Sequence, residues 1–165
     1  MPTDSEIHTL HRYFVWANRL RGDFRSEIQS HGPPPSDKAE LRQWLVRSFV
    51  YFSMWMAMLY VVCEGWAQLG LVDPSVESLL LEDHLLFLRR YRNGVFHFQK
   101  TYFDRRFTEF IDRGDEIGDW ADDLHLAFSK HFMKWYHKKG MRYTMTSDAD
   151  GEQSLEIWRE EQGSD

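Results

Sequence analysis

Sixteen consecutive residues, Ser48–Cys63, carry no charge, with Arg47 before them and Glu64 after them. They lie inside a longer pattern. Leu41, Leu45, Phe49, Phe52, Met56, Leu59, Cys63 and Trp66 recur at the spacing of one helix face. From Phe49 onward this helix is apolar nearly all round, which predicts contact from several sides. A membrane span wants about 20 apolar residues. This run is shorter and is diluted by Tyr51, Ser53 and Tyr60. The expected role is therefore a buried core helix around which the other elements must pack, with no membrane partner.

Those other elements also read as helices. Ile7, Leu10, Phe14, Ala17, Phe24 and Ile28 predict a first helix over 4–29, ended by His31-Gly-Pro-Pro-Pro. Ser36 or Asp37 caps the core helix, with Glu40 three residues after Asp37. Asp73-Pro74 starts a short helix over 74–81. Another runs from Glu82 to Arg92 with Leu85, Leu86 and Leu88 inward. Asn93-Gly94 is a candidate kink or break, after which helical pattern resumes over Val95–Phe110, interrupted near Asp104. Gly114 and Gly118 flank an expected acidic loop, and Trp120, Leu124, Phe128, His131 and Trp135 mark a last long helix over 119–138. The expectation is an all-α, up-and-down four-helix bundle with additional short helices in residues 1–140. Residues 141–165 form an acidic C-terminal tail. Met141–Thr146 reads as a strand, with Leu155–Trp158 as its hairpin partner or as a short helix, and an irregular tail is the alternative.

The segment Leu88-Arg-Arg-Tyr-Arg-Asn-Gly-Val-Phe-His97 carries chemistry. Arg92, Asn93 and His97 make an R-N-x-x-x-H pattern. It resembles the motif of the HEPN superfamily, in which an Arg, a following polar residue and a His four to six residues beyond the Arg mark an RNA-cleaving site. The resemblance covers about residues 4–138 and implies a small all-α bundle. It also implies a metal-independent endoribonuclease that acts as a homodimer with a composite site, as in toxins of toxin–antitoxin pairs and abortive-infection proteins. A cognate antitoxin would then be a partner. Many HEPN proteins are instead silent modules that bind RNA, a nucleotide or a protein.

The residue types suit such chemistry. When a ribose 2′-OH attacks the adjacent phosphorus, one group must take a proton and another must give one. Histidine titrates near neutrality, so His97 can do either. Arg92 stays cationic and can bind phosphoryl oxygens through two N–H groups. Asn93 can orient His97 or bind a phosphate oxygen. On an unbroken helix Arg92 and His97 sit about 140° apart. A kink at Gly94, or a second copy of the chain, would bring an Arg and a His together. The bland alternative is that Arg92 pairs with Asp83 or Glu64 and that His97 is a satisfied buried histidine.

The surroundings are basic and aromatic. Arg89, Arg90, Arg92, Lys100, Arg105 and Arg106 are opposed within that stretch only by Asp104, and Tyr91, Phe96, Phe98, Tyr102 and Phe103 interleave with them. That mixture suits single-stranded RNA, although aromatics at helical spacing also serve as core. Arg89, Lys100, Tyr60 and Tyr102 are candidate substrate contacts. Glu64 could position Arg92 or His97, or form a structural ion pair.

Metal is not expected. Asp122-x-x-His125 puts two ligands on one helix face, but the second copy that a di-iron bundle needs is missing. His8/His11 and His131/His137 add no third convergent ligand. A helical metalloprotein is the reading from a third class. No phosphate-binding glycine loop or serine elbow is present, so no cofactor is expected. Cys63, the lone cysteine, lies in the core helix and reads as inert. With no basic, apolar leader in residues 1–6, a cytoplasmic home is expected.

The net charge of −6 does not argue against RNA. Residues 147–165 hold seven acids against Arg159 alone, which accounts for the whole excess. Residues 1–146 are balanced. The acidic tail is either a solvated end or folds back over the basic stretch.

Overall fold

The computed structural model describes residues 1–32, 35–80, 83–101, 104–147 and 153–159. Six helices follow one another: α1 (Asp4–His31), α2 (Lys38–Gln68), α3 (Pro74–Leu80), α4 (Asp83–Phe96), α5 (Arg105–Ile111) and α6 (Gly114–Lys138). The molecule is an all-α bundle in which α1, α2, α4 and α6 are the main helices.

The helix ends have local causes. Thr3 caps α1 by accepting from the Glu6 N–H, while the Glu6 carboxylate accepts from the Thr3 N–H at 2.7 Å. Gly32 ends it at φ 69°, a conformation that L side chains avoid. Asp37 caps α2, accepting from Ala39 and Glu40 N–H at 2.9 and 3.0 Å. Asp104 caps α5 through the Arg106 N–H.

α1 and α2 pair along their length, α4 lies on α2, and α5 packs on α4. α6 meets α1, α3 and α5. Ile7, Leu10, Phe14 and Ala17 of α1 are buried with Trp55, Met56, Leu59, Val62, Cys63 and Trp66 of α2 and Leu124, Phe128 and Phe132 of α6. Two indoles fasten α3. Trp66 Nε1–H donates to Glu77 at 2.9 Å, and Trp120 Nε1–H donates to the Leu79 carbonyl at 3.1 Å.

Beyond the bundle, β1 (Met141–Ser147) and β2 (Gln153–Arg159) pair antiparallel, Met141 opposite Arg159 and Ser147 opposite Gln153. β1 neighbours α6, and β2 neighbours α1. Among the described residues, the strand over 141–146 extends one residue further, and the Leu155–Trp158 segment is a strand. Asp150-Gly151, whose composition signals a turn, lies outside the described residues.

Four expectations need correction. First, α4 runs unbroken through Asn93-Gly94 and stops after Phe96. Gly94 is buried where α5 crosses: a Cβ there would sit 3.2 Å from Phe107 Cζ and 3.3 Å from Arg106 Cβ. The glycine answers to a close approach, and its flexibility is not used. Second, Gly114–Gly118 is the first turn of α6, because Ile117 is buried and pulls the segment into the helix. Third, Leu86 is 56% exposed, since Leu88 and Tyr91 set the inward face of α4. Fourth, α2, expected as a buried core helix, keeps an exposed stripe, although α1, α4 and, through Trp66, α3 and α6 do contact it on several sides. Within its apolar stretch Val46–Gln68, Val46, Val50, Tyr51 and Met54 are exposed. Its long neighbours, α1 and α4, leave that stripe uncovered. By length and composition this stretch could cross a membrane.

Candidate functional site

Tyr91 sets the rotation of α4. Its ring is fully buried, stacked on Phe110 at 4.4 Å and edge-on to Phe107, and its hydroxyl shares a 2.8 Å hydrogen bond with Ser53 of α2. Burial pushes its phenol pKa up, so it is no proton donor at neutral pH. With Tyr91 and Leu88 inward, the next residue, Arg92, is carried to the side of α4 beside Tyr60.

Arg92 is half-buried and held on three sides. Its Nη1–H donates to Asn93 Oδ1 at 3.1 Å, and its guanidinium carbon lies 5.7 Å from the Tyr60 ring centre and 5.8 Å from that of Phe96. Its Nε is buried with no hydrogen-bond partner. Neither Asp83 nor Glu64 pairs with it among the described residues. Among the described residues this charge is left without a counter-ion. Elsewhere in the basic stretch Arg90 and Arg105 both reach Glu109, at 2.7 and 3.0 Å, and Arg106 pairs with Asp104 at 2.8 Å. Its hydrogen bonds hold the Asp104 carboxyl below the usual range. Arg89 and Lys100 are exposed and have no carboxylate partner among the described residues.

His97 closes the last turn of α4, where its N–H donates to the Asn93 carbonyl at 3.2 Å. The side chain is exposed, and its ring has no hydrogen bond among the described residues. It is not a satisfied buried histidine. The Asn93 side chain holds Arg92 rather than His97. Because α4 is continuous to Phe96, no kink turns the two motif side chains toward each other, and they leave the helix in divergent directions.

Phe96 is 49% and Phe98 is 94% exposed, whereas Tyr91 belongs to the core. Tyr102 and Phe103 lie outside the described residues. Glu64 lines a groove between α1 and α2 with Thr9, Leu10 and Gln68. It is not part of the Arg92 cluster.

Sequence reasoning missed Gln99. Its amide donates to the Asn93 and Gly94 carbonyls at 3.4 Å and to the His97 carbonyl, capping the end of α4. No spacing rule marks it. Glu109 was also missed, though its position four residues after Arg105 was a readable signal.

The former metal candidates are otherwise engaged. Asp122 takes Arg21 at 2.8 Å and Arg25 at 2.5 Å. His125 is buried and bonds Asn18 Oδ1 at 2.8 Å, and His8 and His11 both bond the Tyr136 hydroxyl at 3.0 Å. Among the described residues no group of three or more His, Cys, Asp or Glu could hold a metal ion. Burial pushes the Cys63 thiol pKa up, which keeps it un-ionised.

No family model, curated protein or solved structure matches the chain.

Proposed function

We propose that the chain is an HEPN-like, metal-independent endoribonuclease that works as a homodimer on single-stranded RNA, in the manner of a toxin or phage-defence protein. The observation that carries this reading is Arg92. It is fixed by Asn93, Tyr60 and Phe96, has no carboxylate partner among the described residues, and sits on the helix end that presents His97 to solvent. A half-buried cation with no counter-ion among the described residues suits an anion such as a phosphodiester. The divergence of Arg92 and His97 on one helix favours a site built from two copies.

In this reading Arg92 binds the non-bridging oxygens of the scissile phosphate and meets the charge that grows on them. One protomer's His97 takes the 2′-OH proton as that oxygen bonds to phosphorus. The bond to the 5′-oxygen breaks, and a water molecule protonates the leaving oxygen. The products are a 2′,3′-cyclic phosphate and a 5′-hydroxyl. Arg89 and Lys100 track the backbone, and Phe96 and Phe98 offer faces for bases.

The test is incubation of the pure protein with single-stranded RNA in chelator. Cleavage to cyclic-phosphate ends is expected, reduced roughly 100-fold or more by His97→Ala and by Arg92→Ala. No cleavage at high enzyme would sink the catalytic reading. RNA binding without cutting, unchanged in His97→Ala, would give the silent-module reading. That reading is favoured by the lack of any group orienting the His97 ring among the described residues.

A further inference from the structure

A second feature lies on the opposite pairing of α2, where that helix meets α1. Gly65 allows the close approach: a Cβ there would fall 2.6 Å from Leu10 Cδ1. Beside this contact is a groove of about 330 Å³, at the small end of ligand-binding clefts. Leu10, Val61 and Leu69 give it an apolar floor, and among the described residues no Lys, Arg or His lines it.

Its charge comes from two carboxylates that are not equivalent. Glu6 is exposed and spent on the α1 cap, where Thr3 N–H and Oγ–H both donate to it. Those bonds hold its carboxyl below the usual range. Glu64 is half-buried and has no hydrogen bond or ion pair among the described residues. Thr9, on the facing helix, donates its hydroxyl hydrogen to the Ser5 carbonyl at 2.9 Å. Its oxygen lone pairs remain to accept.

We propose that this groove binds a small aliphatic ammonium ion. The –NH₃⁺ head donates to the Glu64 carboxylate and to acceptors such as Thr9 Oγ1, and the alkyl stem lies over Leu10, Val61 and Leu69. An anion is excluded by the sign of the lining. A hard divalent metal wants six or more oxygens, while the lining brings one carboxylate free of intramolecular bonds. An ammonium needs only two or three acceptors and an apolar surface for its stem.

The experiment is a backbone-amide NMR titration of the full chain with n-butylammonium chloride at constant ionic strength, beside n-butanol. Saturable shifts are expected at Thr9, Glu64 and Leu69 with the ammonium, and much weaker ones with the alcohol. Glu64→Gln, which keeps the shape, should weaken binding roughly tenfold or more. Glu6→Gln, still able to complete the cap, should change it by less than about threefold, as expected for an exposed charge. The proposal is overturned if butanol binds as well as the ammonium, if Glu64→Gln binds as wild type does, or if no saturable shift appears in the groove.

Discussion

Burial divides the histidines. His97 stands in solvent at the end of α4, whereas His11 and His125 are 4% and 2% exposed. Burial, with a smaller contribution from His8, pushes the His11 pKa down to about 4. Burial, with the charges of Arg21 and Arg25, pushes that of His125 down to about 3. In the unfolded chain both would titrate near 6.5. Above pH 7 both states are neutral and neither residue affects stability. As pH falls below 6.5 the unfolded chain takes up protons that the fold refuses, so stability declines toward pH 4. For His11 the loss at pH 4.5 is about 2 kcal/mol. Denaturant unfolding at pH 7 and pH 4.5 should show His11→Phe losing that much less than wild type across the interval. His8 would still bond Tyr136 in the variant. Equal losses would refute the assignment. Arg92 teaches the complementary lesson: its residue type and spacing were legible, but its want of a carboxylate partner depended on where Asp83 and Glu64 went.

At the scale of elements, α4 and α5 are where local rules and packing disagree. Asn93-Gly94 has the composition of a helix stop. Yet Tyr91 and Leu88 on one side and Phe107 on the other give enough burial to carry the helix through, since the propensity cost of Gly is only about 1 kcal/mol. The side chain that Gly lacks is what lets α5 approach. Gly94→Val should therefore destabilise the fold by about 1–3 kcal/mol, read by denaturant titration, because Phe107 and the Arg106 stem must move. A gain in stability would show that α5 yields freely. Gln99→Ala should release the end of α4. Hydrogen exchange at the His97 amide is expected to speed up with little change in global stability, since the amide caps three carbonyls at the helix end only. An unaltered exchange rate would rule out that capping role. Most helix spans were readable from periodicity and caps, as Asp37 and Asp73 illustrate. The continuation of α4 through Asn93-Gly94 was not, because it is decided by packing against Arg106 and Phe107, 12 and 13 positions beyond Gly94.

At the scale of the molecule, the continuous α4 bears on the proposed assembly. If each catalytic centre combines Arg92 and His97 of two copies, mixing Arg92→Ala with His97→Ala chains should restore part of the RNA cleavage that each lacks alone. Size-exclusion chromatography with light scattering should report twice the 19.8 kDa chain mass. No restoration on mixing would place each centre within one chain. The exposed stripe of Val46, Val50, Tyr51 and Met54 shows how far a one-dimensional pattern reaches: it marked α2 as apolar all round, but not which sides have neighbours. The sequence by itself determined the helical periods, the caps and the R-N-x-x-x-H spacing, because these depend on interactions within a few residues. Only the tertiary structure decided that Arg92 has no counter-ion among the described residues, that Asn93 serves Arg92, that Gly94 is a crossing point and that Glu64 faces a different groove. Those outcomes depend on which helix faces meet, and side chains distant in sequence settle that through burial.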